Sequence, residues 1–376
     1  MKRKLLALGC ALALLLGMAA PSAAAGETVY FTAVNETVLE LSDSTMPFWS
    51  NGYLYVAAAL FNSRQLEVGC SYSTAKRSAV VYSRKTTDYA LFFDLTKDSV
   101  DSADGYGYYP PAVFRNGTIF LPVGLVCSYF GLTYTSTKVT NGYLIRVCGE
   151  DAKLSDRTFI DSASYNMVYA YEQYQAAKTP AASERPDTQT PEDGSAQASG
   201  GQTVRLCFRA DSQQNTLAVL DALNAAQAFG TFYFTGEEIA AGGDLVRRIA
   251  ASGHALGLAA DGGSDVSVAE QLQSGNETLW QAAGVKTRLC VLVNADDAAA
   301  AEAELAGYRI LRPQVDRSSS GLRSASAAGT LLRRISSRRG GVTVWLGNQA
   351  AAAGVRAFLE QAGSAGHRLE CLRENS

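Results

Sequence analysis

The chain has 376 residues, 47% of them hydrophobic and 18% charged, with a formal net charge of −3. At that length two domains are expected, and the apolar content is enough for proper cores. There is no basic excess of the kind nucleic-acid binding requires, so nucleic acid is excluded as a partner.

Lys2, Arg3 and Lys4 precede an apolar run from Leu5 to Met18, and Ala23-Ala24-Ala25 stands just before Gly26. This is the pattern of a signal peptide, residues 1–25, cleaved after small residues. Cys10 lies early inside the apolar run, which argues against a lipid anchor, and the run is short for a membrane span. The mature chain is therefore expected to be secreted or held in the cell envelope, with no transmembrane segment.

Residues 26–150 alternate apolar and aromatic positions around Asn-Gly turns, which signals β-hairpins. The pattern occurs twice. Phe48 to Val56 leads into an apolar helical run ending at Leu60, and Phe114 to Val123 leads into Gly124–Phe130. Each copy continues with strand patterns, Glu67–Ser71 and Ala79–Tyr82 in the first, Leu132–Ser136 and Leu144–Val147 in the second. The aromatics Trp49, Tyr53, Tyr55, Tyr106, Tyr108, Tyr109 and Tyr129 serve either as ordinary β-sheet packing or as stacking partners for sugar rings. Residues 151–177 contain a helix starting near Ser155 or Asp156, and 178–202 read as a flexible linker rich in Pro, Ser, Thr and Gly.

From residue 203 to 376 strand and helix signals alternate. Strand-like runs fall at 204–210, 231–235, 254–260, 288–294, 308–312, 342–346 and 367–372, with helical runs between them. Seven such strands predict an α/β domain whose parallel sheet is closed or nearly closed into a barrel, behind a small α+β repeat domain. Six cysteines follow the signal peptide: Cys70, Cys127, Cys148, Cys207, Cys290 and Cys371. Cys207 and Cys290 lie in apolar runs and read as buried thiols, and the spacing leaves room for one disulfide in the first domain, its partners undetermined.

Three segments resemble the polysaccharide deacetylase family. Val204 to Asp211 stands where the family has a strand ending in Thr-Phe-Asp-Asp-Gly. Gly230 to Gly236, Gly-Thr-Phe-Tyr-Phe-Thr-Gly, resembles its Ala-Thr-Phe-Phe-Val-Thr-Gly, and Leu245 to Gly257 resembles its Leu-x-Arg-x-Ile-x-x-x-Gly-His-Glu-Ile-Gly. The resemblance implies a distorted (β/α) barrel, a catalytic base, a zinc-like metal held by one Asp and two His, and a His acting as acid. In this chain Arg209 stands at the base position and Ala210, Ala259 and Gly263 stand at the ligand positions. Gly347 replaces the acid His, and His254 matches the family's structural Gly-His. Alanine and glycine supply no ligand to a site that needs three. The doubled unit of residues 26–150 resembles the N-terminal-like domain of copper amine oxidases, though no His precedes residue 254, so copper held by imidazole is excluded there.

The strand ends of such a barrel carry its function. Asp211, Asp261 and Asp316 are predicted there, as an oxygen site for a cation, as hydrogen-bonding groups for sugar hydroxyls, or as local caps. A run of Arg333, Arg334, Arg338 and Arg339, with Arg309, Arg312, Arg317 and Arg323 upstream, reads as a solvated face or as a contact for anionic wall polymers. The leading expectation is a catalytically silent relative that takes no cofactor and binds or scaffolds cell-wall polysaccharide or peptidoglycan. The alternative is an active metal-dependent deacetylase with one divalent, zinc-like ion on Asp211, Asp261 and Asp316. A third reading gives the contacts to the repeat domain and leaves the barrel a passenger.

Overall fold

The computed structural model describes residues 28–86, 88–178 and 201–374. The expected signal peptide and nearly all of the expected linker lie outside the described residues. Among the described residues no helix is long and apolar enough to cross a membrane.

The N-terminal region opens with β1 (Tyr30–Val34) and β2 (Thr37–Val38). A first unit follows: hairpin β3 (Phe48–Ser50) and β4 (Tyr53–Ala57), a 3-10 turn at Ala58–Asn62, then β5 (Val68–Ser73) and β6 (Ser78–Ser83). Three strands extend that last hairpin, β7 (Ala90–Asp94), β8 (Ser99–Ser102) and β9 (Gly107–Tyr108). The second unit repeats the first: β10 (Val113–Arg115), β11 (Thr118–Pro122), helix α1 (Val123–Phe130), β12 (Thr133–Val139) and β13 (Gly142–Cys148). Asn51-Gly52 and Asn116-Gly117 both hold positive φ at two consecutive residues, the geometry of tight hairpin turns. The two units meet through β4 and β11, which pair antiparallel with Leu121 opposite Val56. A shared core that includes Val56, Phe61, Ile119, Leu121 and Val126 lies beneath them.

Arg146 of β13 ties this region to the next helix, α2 (Asp156–Lys178). Its buried guanidinium donates to Asn35 O at 2.8 Å, Leu154 O at 2.9 Å and Asp156 Oδ1 at 2.7 Å. It also lies 3.5 Å from Glu36, itself buried and held by the amides of Lys153 and Leu154. A buried charge is tolerated only when it is paired and hydrogen-bonded, and here every group is.

Beyond α2 come β14 (Thr203–Arg209), α3 (Gln213–Ala225), β15 (Gly230–Phe234), α4 (Gly236–Ala241), α5 (Gly243–Ala251) and β16 (Ala255–Asp261). Next are α6 (Val268–Ala283), β17 (Leu289–Val293), α7 (Asp297–Leu305), β18 (Arg309–Ile310) and β19 (Val315–Asp316). The chain ends with α8 (Ala325–Ser336), β20 (Val342–Trp345), α9 (Ala352–Ser364) and β21 (Arg368–Leu369). The sheet runs β18-β17-β16-β15-β14-β20-β19, with β21 also on β14, and all its pairings are parallel. It stays open between β18 and β19, so the expected barrel is a half-barrel. Its closing edge is built from two-residue strands, and β19 lies outside every predicted run.

Strand periodicity sorts this sheet into two faces. Val204, Leu206 and Phe208 of β14 pack outward under the helices. Cys207, Tyr233, Ala259, Leu289 and Val291 fill the inner face, with Trp345 against Tyr233. All six described cysteines are free, so the one disulfide for which the spacing left room in the first domain is not formed. Burial pushes the thiols of Cys70, Cys127, Cys207 and Cys290 up to about 12, which makes them inert packing groups.

Candidate functional site

Arg209 is the last residue of β14 and stands at the upper rim of the inner face. Its two terminal nitrogens grip both oxygens of Glu238, at 2.5 and 2.8 Å, and one also donates to Tyr233 O at 3.2 Å. Glu238 is fixed in turn by a capping box: it accepts from the Thr235 amide at 2.8 Å while the Thr235 hydroxyl accepts from its own amide. Both partners are largely covered, with side chains 16% and 25% exposed. The position expected to hold a base therefore holds a bidentate ion pair. The Arg209 charge is itself paired.

The remaining positions supply no ligand either. Ala210 is buried, its amide donating to Tyr233 O. Ala259 lies at 5% exposure in the apolar inner cluster, among Cys207, Tyr233 and Val291. Gly263 donates its amide to Asp261 Oδ1 at 2.9 Å. Gly347 sits at φ +54, and a Cβ there would stand 3.1 Å from that of Ser318, so a histidine at this point is strained and crowded.

The structure does not gather Asp211, Asp261 and Asp316 into a ligand set. Asp211, exposed, accepts from Asn348 Nδ2 at 2.6 Å. Asp261 accepts from Asn294 Nδ2 at 3.1 Å as well as from Gly263. Asp316 accepts from the amide and hydroxyl of Ser318 at 2.8 and 2.6 Å. Asp261 and Asp316 each close the turn that follows them, as Asp does after strands, whereas Asp211 is tied to Asn348 of the loop after β20. Among the described residues no group of three or more His, Cys, Asp or Glu is placed to hold a metal ion. The donor set thus does not fit the zinc-like ion that the family resemblance implies. Asp296, by contrast, caps α7, accepting from the Ala299 amide at 2.8 Å.

His254 is buried. Its Nδ1 accepts from the Gly230 amide at 3.1 Å, and its Nε2 faces Asn224 Oδ1 at 2.9 Å, so the proton belongs on Nε2. Asn224 donates on to Ser252, whose hydroxyl donates to Ser162 O in α2 at 2.7 Å. Complete burial drives the imidazole down to about 3. This histidine is neutral, and the chain it anchors docks α2 onto the half-barrel.

The aromatic set divides. Tyr55 is core, 4% exposed and stacked on Phe48 at 5.4 Å. Trp49, Tyr53, Tyr106, Tyr108 and Tyr109 are exposed; Tyr109 meets Tyr53 edge-on at 5.5 Å and Tyr108 meets Tyr129 likewise. The arginine run does not form one patch. Arg317 is buried, Arg312 pairs with Glu304 at 2.6 Å, Arg323 bonds Gln349, and Arg333 and Arg334 close α8. Sequence reading missed Glu238 altogether, although Thr235-Gly236-Glu237-Glu238 carries the capping-box spacing that would have found it.

An open α/β half-barrel with a helix-capped upper rim is the class of domain that these elements define. Residues 196–310 match the family described as polysaccharide deacetylase, so the C-terminal region carries a domain of that kind. Solved structures similar to this region include the polysaccharide deacetylase Bc1974 from Bacillus cereus, at 15% identity and TM-score 0.39, covering 46% of this chain and 94% of that one. Bacillus subtilis PdaA, a family 4 carbohydrate esterase, is 18% identical with TM-score 0.40, covering 46% and 79%. BA3943 from Bacillus anthracis, described as a family 4 pseudoenzyme, is 14% identical with TM-score 0.39, covering 45% and 63%. No curated protein matches the chain.

Proposed function

We propose that this is an exported envelope protein whose polysaccharide deacetylase domain is catalytically silent and which acts by binding cell-wall glycan. The observation that carries the reading is the Arg209–Glu238 pair. A deacetylase needs an ionised base and an open metal position above this rim. Here a guanidinium and its carboxylate partner take that place, braced by a helix cap. The exposed tyrosines of the N-terminal repeat region supply flat faces for sugar rings, and its doubled units serve as a copper amine oxidase N-terminal-like module in a binding role.

The test is sedimentation of the full mature chain with purified cell walls. Wild-type protein is expected to co-sediment, and a Tyr106→Ala, Tyr109→Ala double variant to lose most of that binding. Sedimentation unchanged by the double variant removes the tyrosines from the account. Failure of the wild type to bind removes the glycan role.

A further inference from the structure

The open seam of the half-barrel holds a cavity, toward the opposite end of β14 from the rim just described. It measures about 580 Å³ and is lined by Arg205, Glu304, Tyr308, Arg309, Arg312 and Thr343, among others. Arg205 and Thr343 lie opposite each other, near the N-terminal ends of β14 and β20. Arg205 and Arg209 share the inner face of one strand, four residues apart, so the seam is the lower end of the column that Arg209 tops.

The two arginines differ in one respect. Arg209 has Glu238, whereas the half-buried Arg205 side chain has no hydrogen-bond or ion-pair partner among the described residues, and its Nε is buried without an acceptor. It runs close past Gly341, where a Cβ would come within 2.9 Å of its terminal nitrogen. Three guanidinium groups line the cavity; Arg312 engages its one lining carboxylate, Glu304, Arg309 donates to the Glu374 carbonyl oxygen, and Arg205 is the one of the three that no described residue engages. A half-buried cation without a counter-charge is costly unless an anion completes it. The guanidinium fork fits the paired oxygens of a phosphate or carboxylate. A cavity of this size falls in the range of small-molecule sites and exceeds what a lone oxyanion fills. Tyr308, Leu311 and Leu372 give it apolar walls, and Gln314 and Thr343 give it neutral polar groups.

We propose that the seam cavity binds a sugar-sized anion, a pyranose bearing a phosphate or carboxylate group, with Arg205 as the principal oxyanion contact. The inference is independent of the silent rim and of the aromatic surface. It is tested by calorimetric titration of the full mature chain with glucose 6-phosphate, glucuronate, inorganic phosphate and glucose at low salt. Binding of glucose 6-phosphate or glucuronate is expected, and which of the two binds more tightly identifies the oxyanion. Arg205→Gln is expected to weaken binding about tenfold or more, as loss of a charge-assisted contact does. Arg309→Gln, a change at an exposed side chain, is expected to weaken it several-fold and guards against misfolding of the first variant. The proposal fails if neither charged sugar binds better than glucose, if inorganic phosphate alone binds as well as the charged sugars, or if both variants bind like wild type.

Discussion

Replacing Glu238 by Gln isolates what the rim pair does. The substitution keeps the side-chain length and an oxygen that can accept from the Thr235 amide, so the cap survives in weakened form. It removes the negative charge that Arg209 grips at 2.5 and 2.8 Å. Loss of a partner from a fully buried pair costs about 3–5 kcal/mol. With side chains 16% and 25% exposed, the Arg209 charge is partly reached by water, which lowers that figure to about 2 kcal/mol. Weakening the cap adds roughly 0.5 kcal/mol. The melting point should therefore fall by about 5–10 °C, taking 2–4 °C per kcal/mol for a domain of this size. In a double-mutant cycle with Arg209→Met, the combined loss should be smaller than the sum of the single losses by at least about 1 kcal/mol, because Met needs no counter-charge. The assay is urea unfolding of the four proteins. Additive losses, or a Glu238→Gln cost under about 0.5 kcal/mol, would refute the claim that this pair is a coupled structural unit.

Other expectations follow from the same geometry. Arg146→Met leaves Glu36 and Asp156 without their guanidinium and should cost about 3 kcal/mol in denaturant unfolding, with α2 losing amide protection first in hydrogen exchange. His254 is held down to about 3 in the folded chain against a usual value near 6.5. The neutral ring therefore contributes stability in full above pH 6.5. That stability is lost as pH falls from 6.5 toward 3, at up to about 1.4 kcal/mol per pH unit. His254→Asn, which keeps the acceptor for Gly230, should flatten that acid slope when stability is measured from pH 7 to pH 4. Ala259→His forces a larger ring into the cluster of Cys207, Tyr233 and Val291 and should destabilise by about 1–3 kcal/mol without producing a metal-binding protein, as read by melting with and without zinc.

Much of the architecture was legible because local rules and packing agree. The Asn-Gly turns at 51–52 and 116–117 announced both hairpins, and the doubled pattern placed the helical turns after β4 and β11. The family resemblance put Arg209 at the base position, and the structure sets it at the rim of the inner face of β14. Patterning could not decide between packing and surface stacking for Tyr55 because β4 is buried on both sides along most of its length. Only one side of the seam was legible: β18 falls within the 308–312 run, whereas β19 is two residues long, too short for any periodicity. Site prediction stopped at single positions. It found that Arg209 had replaced a base but not that Glu238 claims it. It counted arginines along the sequence near 309–339, yet the cavity at the seam also takes Arg205, about a hundred residues upstream on β14, whose Nε is buried without an acceptor. Such pairings depend on which strand ends meet, and spacing along the chain does not record that.

The central claim is that the rim neither holds a metal nor hydrolyses an acetyl group. The most direct test is acetate release from acetylated chitooligosaccharide and from peptidoglycan by the full mature chain, with zinc or cobalt supplied and bound metal quantified after dialysis. The account predicts no acetate above the protein-free control and no stoichiometric ion. Acetate release that depends on one tightly held ion per chain, and that disappears on chelation, would contradict it.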